Sequence, residues 1–258
     1  MKKKQIIIMF LCICLWFPFA IIVDILISHQ ITHGIPVIGY HGVVNDDEKQ
    51  QKYANNPYFL SQTQFEKHMK YLYDNNFQTL SMKDIDDYYY KKKDFHKKSV
   101  ALTFDDGYLN CKTIVEPILK KYHFQATCFV IGQHINDNHP LFLKEKDIHN
   151  NAYLCYYSHS YNLHRKAPGI DKKIIETLSL QQISQDFQNS SVDHTYFAYP
   201  YGRSVPQIKS VLRKNNVRLA FSYNQFHHLT RQDDWDYLPR YMILDWMPQT
   251  YFQWIVKK

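Results

Sequence analysis

Between residues 35 and 244, seven short apolar runs alternate with stretches of helical periodicity, and no other feature limits the possible folds so strongly. The runs occupy 35–40, 100–104, 126–131, 152–157, 196–199, 219–223 and 241–244. Thr63-x-x-Glu66 reads as a capping box that opens a helix with Phe65, Met69 and Leu72 on one face. Ser81-x-x-Asp84 starts a second, with Ile85 and Tyr88 inward. Further helices are expected at 114–122, over 171–188 in one or two pieces, and at 206–215. Strands that alternate with helices need crossover connections, so the sheet should be parallel. Seven such units without a dinucleotide fingerprint favour a barrel over an open sheet. The expected fold class is therefore α/β, a single distorted (β/α)7-type barrel. Hydrophobic residues are 45% of the 258, enough for one core of that kind. The polar stretch 45–56 reads as a loop over one face.

The chemistry-bearing residues respect this pattern. His41, Asp105, Asp106, His159 and the Pro200-Tyr201 pair all sit where a predicted strand stops. In a barrel those ends converge on one face, where active sites of such folds are built. Thr103-Phe104-Asp105-Asp106-Gly107 ends a strand in two adjacent carboxylates, which resist joint ionisation unless a cation relieves them. With a cation bound, one carboxylate would ligate it and the other would be left as a base; a plain solvated turn is the competing reading. His159 and His164 are five residues apart, a spacing that suits a strand end running into a loop and not one helical face. Together with Asp106 they would form a two-histidine, one-carboxylate metal set. Among the 14 histidines, His123, His139, His149, His227 and His228 read as surface or structural.

Three ordered motifs, Thr103-Phe104-Asp105-Asp106-Gly107, His159-Ser160-Tyr161-Asn162-Leu163-His164 and Tyr199-Pro200-Tyr201-Gly202, resemble the polysaccharide deacetylase family. That family is also called the NodB-homology or carbohydrate esterase 4 family. Pro36-Val37-Ile38-Gly39-Tyr40-His41 and Leu238-Pro239-Arg240 are similar to its branch acting on biofilm poly-β-1,6-N-acetylglucosamine, the intercellular adhesin deacetylase type. The resemblance implies a circularly permuted barrel and a divalent metal cofactor, zinc, held by Asp106, His159 and His164. It implies Asp105 as general base, with Tyr201 offering its backbone N–H to the oxyanion and Pro200 and Tyr199 beside it. The leaving amine needs an acid; no histidine follows His228, and the branch takes that acid from the first strand, which His41 matches. Other family members orient the base with an arginine before the Pro-Tyr pair. Here Phe197-Ala198-Tyr199 precede it, which leaves Arg240 as the candidate support for the base and Asp245 for the acid.

Lys2-Lys3-Lys4 followed by an uncharged run over 6–23 reads as a membrane anchor with the remainder of the chain outside; a cleavable signal peptide is the alternative. The expected division is thus 1–33, anchor or signal segment plus linker, and 34–258, the deacetylase domain. A formal net charge of +7 with no nucleic-acid motif suits an anionic envelope surface and not a nucleic-acid partner. Cys111, Cys128 and Cys155 match no disulfide framework. The expected partner is an N-acetylglucosamine polysaccharide at the membrane or cell envelope, bound by a monomer. A peptidoglycan N-acetylglucosamine deacetylase and a catalytically silent glycan-binding protein are the rival readings.

Overall fold

The computed structural model describes residues 34–95, 98–137 and 139–258. The chain divides into two units, Met1–Gly34 and Ile35–Lys258, and the second carries every element below. The expected anchor lies outside the described residues. Among the described residues no helix is long and apolar enough to cross a membrane.

All seven apolar runs are strands. In chain order the strands are β1 (Val37–Tyr40), β2 (Gly42–Val44), β3 (Phe59–Ser61), β4 (Gln78–Leu80), β5 (Ser99–Phe104), β6 (Ala126–Val130), β7 (Leu154–Ser158), β8 (Tyr196–Ala198), β9 (Leu219–Phe221) and β10 (Tyr241–Met242). The main path runs β10-β1-β5-β6-β7-β8-β9, parallel at every pairing. Short β4 pairs with the first half of β5, and β2 and β3 form a separate parallel pair. Beyond β9 the segment leading into β10 returns to it, Leu238 donating to the Ala220 carbonyl and accepting from Ser222 N–H, both at 2.8 Å. The result is a parallel-strand α/β half-barrel. From Val100 to Phe104, β5 is buried at every position, as a strand covered on both faces must be.

Two local expectations change. The stretch 45–56 is not a plain loop: Asn45 caps a helix, Asp46–Gln51, whose first turn carries Asp46, Asp47 and Glu48. That helix buries none of its residues, so it leaves no apolar period to read. The next helix, Gln62–Asp74, is capped by Ser61 and not by Thr63, whose hydroxyl donates to Asp46 at 2.6 Å. Phe65, Met69 and Leu72 are buried on it, and the Ser81–Asp84 capping box opens Met82–Lys91, both as expected. One π turn, Cys111–Val115, precedes the helix Glu116–Tyr122.

His68, on the inner face of Gln62–Asp74, stacks on Phe252 at 4.1 Å and meets the Tyr40 hydroxyl at 3.1 Å. Burial pushes its imidazole down to about 3. The unfolded chain takes up that proton near its ordinary pKa of about 6.5, so stability is full above that pH and falls as pH drops toward the folded value. The urea midpoint should therefore decline on acidification below about pH 6.5, and His68→Phe, which keeps the stack, should remove one proton's worth of that slope. An unchanged slope in this variant would show that His68 titrates normally in the folded protein.

Candidate active site

At the end of β5 the chain takes two left-handed residues in succession, Asp106 (φ 73°) and Gly107 (φ 75°). A Cβ on Gly107 would meet the Val130 side chain at 2.8 Å, so both conformation and space call for glycine. This turn separates the two carboxylates, and their surroundings differ sharply.

Asp105 is wholly buried and gripped by Arg240, Nη1 to Oδ1 at 2.7 Å and Nη2 to Oδ2 at 2.8 Å. The Tyr223 hydroxyl donates to Oδ2 at 2.8 Å. Burial alone would raise the Asp105 pKa, but the Arg240 charge and hydrogen bonds together with the neighbouring histidines outweigh it and hold the carboxyl well below the usual range. Arg240 is itself fully buried; it donates to the Thr103 hydroxyl (3.1 Å) and the Ser222 carbonyl (3.2 Å) and lies 4.2 Å over the Tyr223 ring. The candidate support residue therefore does hold Asp105, from the position just before β10, far along the chain.

Asp106 faces the histidines, its Oδ1 lying 3.6 Å from His159 Nε2 and 3.4 Å from His164 Nε2. One ligand atom from each of the three lies within 4.8 Å of the others, and no other such cluster occurs among the described residues. Asp106 Oδ1 is buried without a hydrogen-bond partner, an arrangement that a cation resolves. His159 donates Nδ1–H to the Ala198 carbonyl at 2.8 Å, which turns the Nε2 lone pair toward Asp106. Burial pushes His159 down to about 4, so the ring is neutral, the form a metal needs. His164 is held differently: its ring stacks on Tyr201 at 4.2 Å, and Lys173 Nζ sits 3.9 Å from the centre of that tyrosine ring. Two nitrogens and a carboxylate oxygen fit a catalytic zinc-type centre.

These groups line one cleft of ≈ 310 Å³ together with His41, Tyr58, Tyr108, Tyr201 and Tyr223. His41, between β1 and β2, is buried against Tyr58 (4.9 Å) and Tyr223 (6.1 Å), with its Nδ1 unpartnered. Tyr201 takes a left-handed φ of 58°, which turns its ring onto His164. Tyr199 is placed elsewhere: its side chain is buried in the core, its hydroxyl on the Asp236 carbonyl at 2.8 Å. Pro200 is buried behind the cleft, and Asp245 is ion-paired with Lys49 at 2.6 Å and lines no part of it. A larger surface cleft, ≈ 970 Å³, lies around the starts of β4 to β6, at Gln78, Lys98 and Gln125, and holds none of these groups.

Sequence reasoning missed Tyr223, Met242, Tyr108 and Tyr58 as cleft residues. Tyr223 ends the expected strand 219–223, so the strand-end rule could have found it; Met242 lies inside the expected run 241–244 and becomes a strand end only because β10 stops there. Tyr58 enters on the segment before β3, and no periodicity announces it.

Residues 92–220, half of the chain, match the family described as polysaccharide deacetylase. A poly-β-1,6-N-acetyl-D-glucosamine N-deacetylase of Staphylococcus aureus (strain N315) is 29% identical over 205 residues, covering 73% of this chain and 69% of that protein. Among solved structures, the Streptococcus pyogenes deacetylase PplD in complex with acetate aligns with TM-score 0.75 at 21% identity, over 87% of this chain and 99% of that one. IcaB from Ammonifex degensii aligns with TM-score 0.71 at 20% identity, over 88% and 97%. At such identities the two structures speak for the fold alone. The family match spans the turn after β5, the two histidines and the Pro-Tyr pair, whereas His41 and Arg240 lie outside it. On that match this chain belongs to the polysaccharide deacetylase family, hydrolases that cleave amide bonds.

Proposed function

We propose that this chain is a metal-dependent N-deacetylase that removes acetyl groups from poly-β-1,6-N-acetyl-D-glucosamine, with zinc as the metal. The observation that carries it is the pairing, in one cleft, of an arginine-held carboxylate with three converging donors, one of them an orphaned buried oxygen. A divalent cation on Asp106, His159 and His164 would supply Lewis acidity toward the acetamide oxygen. Asp105 offers about four lone-pair sites, of which Arg240 and Tyr223 take three, leaving one to accept a proton from the attacking water. Tyr201 is assigned the backbone N–H that meets the developing oxyanion. His41, with a free ring nitrogen beside the cleft, is assigned the proton donated to the leaving amine. His41→Ala should then lower kcat by roughly 10²–10⁴-fold with metal occupancy unchanged. Loss of metal in that variant would make His41 a ligand and displace one of the other two histidines from the set.

The glycan linkage is supported by the name of the Staphylococcus aureus relative and by the acid's place directly after the first strand, the arrangement of a circularly permuted barrel. A cleft of ≈ 310 Å³ holds few sugars, and ordering a flexible β-1,6 chain is entropically costly, so weak binding that improves with length follows. The test is acetate release from β-1,6 and β-1,4 N-acetylglucosamine oligomers of equal length, with and without a chelator. Preference for β-1,4 or peptidoglycan fragments would overturn the linkage and leave the metal hydrolase standing. We further read 1–33 as an anchor or signal segment and 34–258 as an extracytoplasmic, monomeric domain. Protease added to intact cells should reach that domain, and a protected domain would overturn the reading.

A further inference from the structure

Asp186 is a buried carboxylate that forms no ion pair among the described residues. Both its oxygens serve backbone groups of one loop: Oδ1 accepts from Tyr161 N–H at 2.7 Å and Oδ2 from Asn162 N–H at 2.8 Å. That loop joins His159 to His164, while Asp186 comes from the helix Leu180–Asn189, more than 20 residues further along the chain. Burying a carboxylate without a direct ion pair is unfavourable, and burial pushes the Asp186 carboxyl upward against the weaker opposing pull of the two amides and the Arg165 charge. Two charge-assisted hydrogen bonds offset that cost, and both act on the loop.

The remaining loop bonds show the same clamp. Ser160 N–H donates to Ser158 Oγ and Leu163 N–H to Ser160 Oγ, each at 3.1 Å. On the carbonyl side, Ser160 and Tyr161 accept from Gly132 and Gln133 N–H at 2.9 and 3.0 Å. Every backbone N–H from Ser160 to Leu163 is thereby taken, which holds Ser160 at a φ of 70° that a residue with a Cβ adopts reluctantly. The consequence falls on His164. The His159 ring is fixed by its own hydrogen bond to Ala198, but no hydrogen bond fixes His164 Nδ1 among the described residues, and its ring has only the Tyr201 stack at 4.2 Å and a tilted contact with His159 at 5.2 Å. Where its Nε2 points is therefore set by the backbone that Asp186 holds.

We infer that Asp186 is a positioning residue for the metal centre, a carboxylate that acts through the Tyr161 and Asn162 amides to bring His164 into register with His159 and Asp106. The inference rests on the proposed ligand role of those three residues. Asp186→Asn keeps the shape but presents an NH2 group to one of the two amides. Its Zn²⁺ affinity, measured by competition with a chromophoric chelator, should fall about 10–100-fold, the usual range for a partner one step behind a ligand. The visible spectrum of the Co²⁺-loaded variant should change as His164 is displaced. Ile183→Ala, a core truncation in the same helix, should lower the melting temperature while leaving Zn²⁺ affinity and the Co²⁺ spectrum as in the wild type. Asp186→Asn binding Zn²⁺ within twofold of the wild type, or Ile183→Ala losing as much affinity, overturns the inference. Amide exchange in metal-free wild-type protein serves if the variant does not fold: the Tyr161 and Asn162 amides should be protected, and fast exchange at both overturns it. A wild-type protein that binds neither Zn²⁺ nor Co²⁺ overturns the ligand assignment itself, a separate outcome.

Discussion

Asp105→Asn should lose about 10²–10⁴-fold in turnover while still binding metal, because an amide cannot accept the proton of the attacking water. It should also be less stable. Arg240 is fully buried with its guanidinium on both Asp105 oxygens, and the substitution leaves that charge without its partner. Breaking a buried pair from one side costs about 3–5 kcal/mol, and a chain of this size loses roughly 2–4 °C in Tm per kcal/mol. The melting point should thus drop by roughly 10 °C, and turnover must be compared below the new midpoint. The double variant Asp105→Asn with Arg240→Met removes both partners and should recover much of the stability but none of the activity. Metal loss in Asp105→Asn equal to that of an Asp106 variant would contradict the division of roles between the two carboxylates.

Asp106→Asn should behave in the opposite way. Asparagine tolerates the left-handed turn at φ 73°, so the backbone is kept while the anionic ligand is lost. Zn²⁺ affinity should fall by more than about 10²-fold, beyond what a supporting residue costs, and turnover should fall with it. The variant without metal should melt no lower than the metal-free wild type, because a buried carboxylate oxygen with no partner is replaced by a neutral group. Zn²⁺ should raise the wild-type melting point by binding the native state and leave that of the variant unmoved at the same concentration. A variant that still shifts with Zn²⁺ would mean that the histidines bind without Asp106.

The opposite fates of two adjacent aspartates show where reading the sequence stops. Thr103 to Gly107 identifies a strand end with two carboxylates, yet nothing local distinguishes Asp105 from Asp106 beyond a resemblance to other chains. Their difference is made by residues far along the chain: Arg240 and Tyr223 on one side, His159 and His164 on the other. Likewise, Tyr199 and Tyr201 share a motif, but one is core and the other lines the cleft, because a left-handed turn reverses the direction of the second side chain.

By itself the sequence determined the seven strands of the main path, their parallel arrangement and the face on which His41, Asp105, Asp106 and His159 gather. Those features follow from apolar period and from chain direction, which are local properties. It did not determine the helix Asp46–Gln51, which buries nothing, or the cleft wall that Tyr58 brings in on the segment before β3. It offered Arg240 as a candidate support for Asp105 but not the two-pronged geometry of its fork, and it gave no sign of the Asp186 clamp on the histidine loop. Each of these is a hydrogen bond between groups 24 to 135 residues apart in the chain. Such contacts leave no period in the sequence, because their geometry exists only once the parallel strands have curled their ends together.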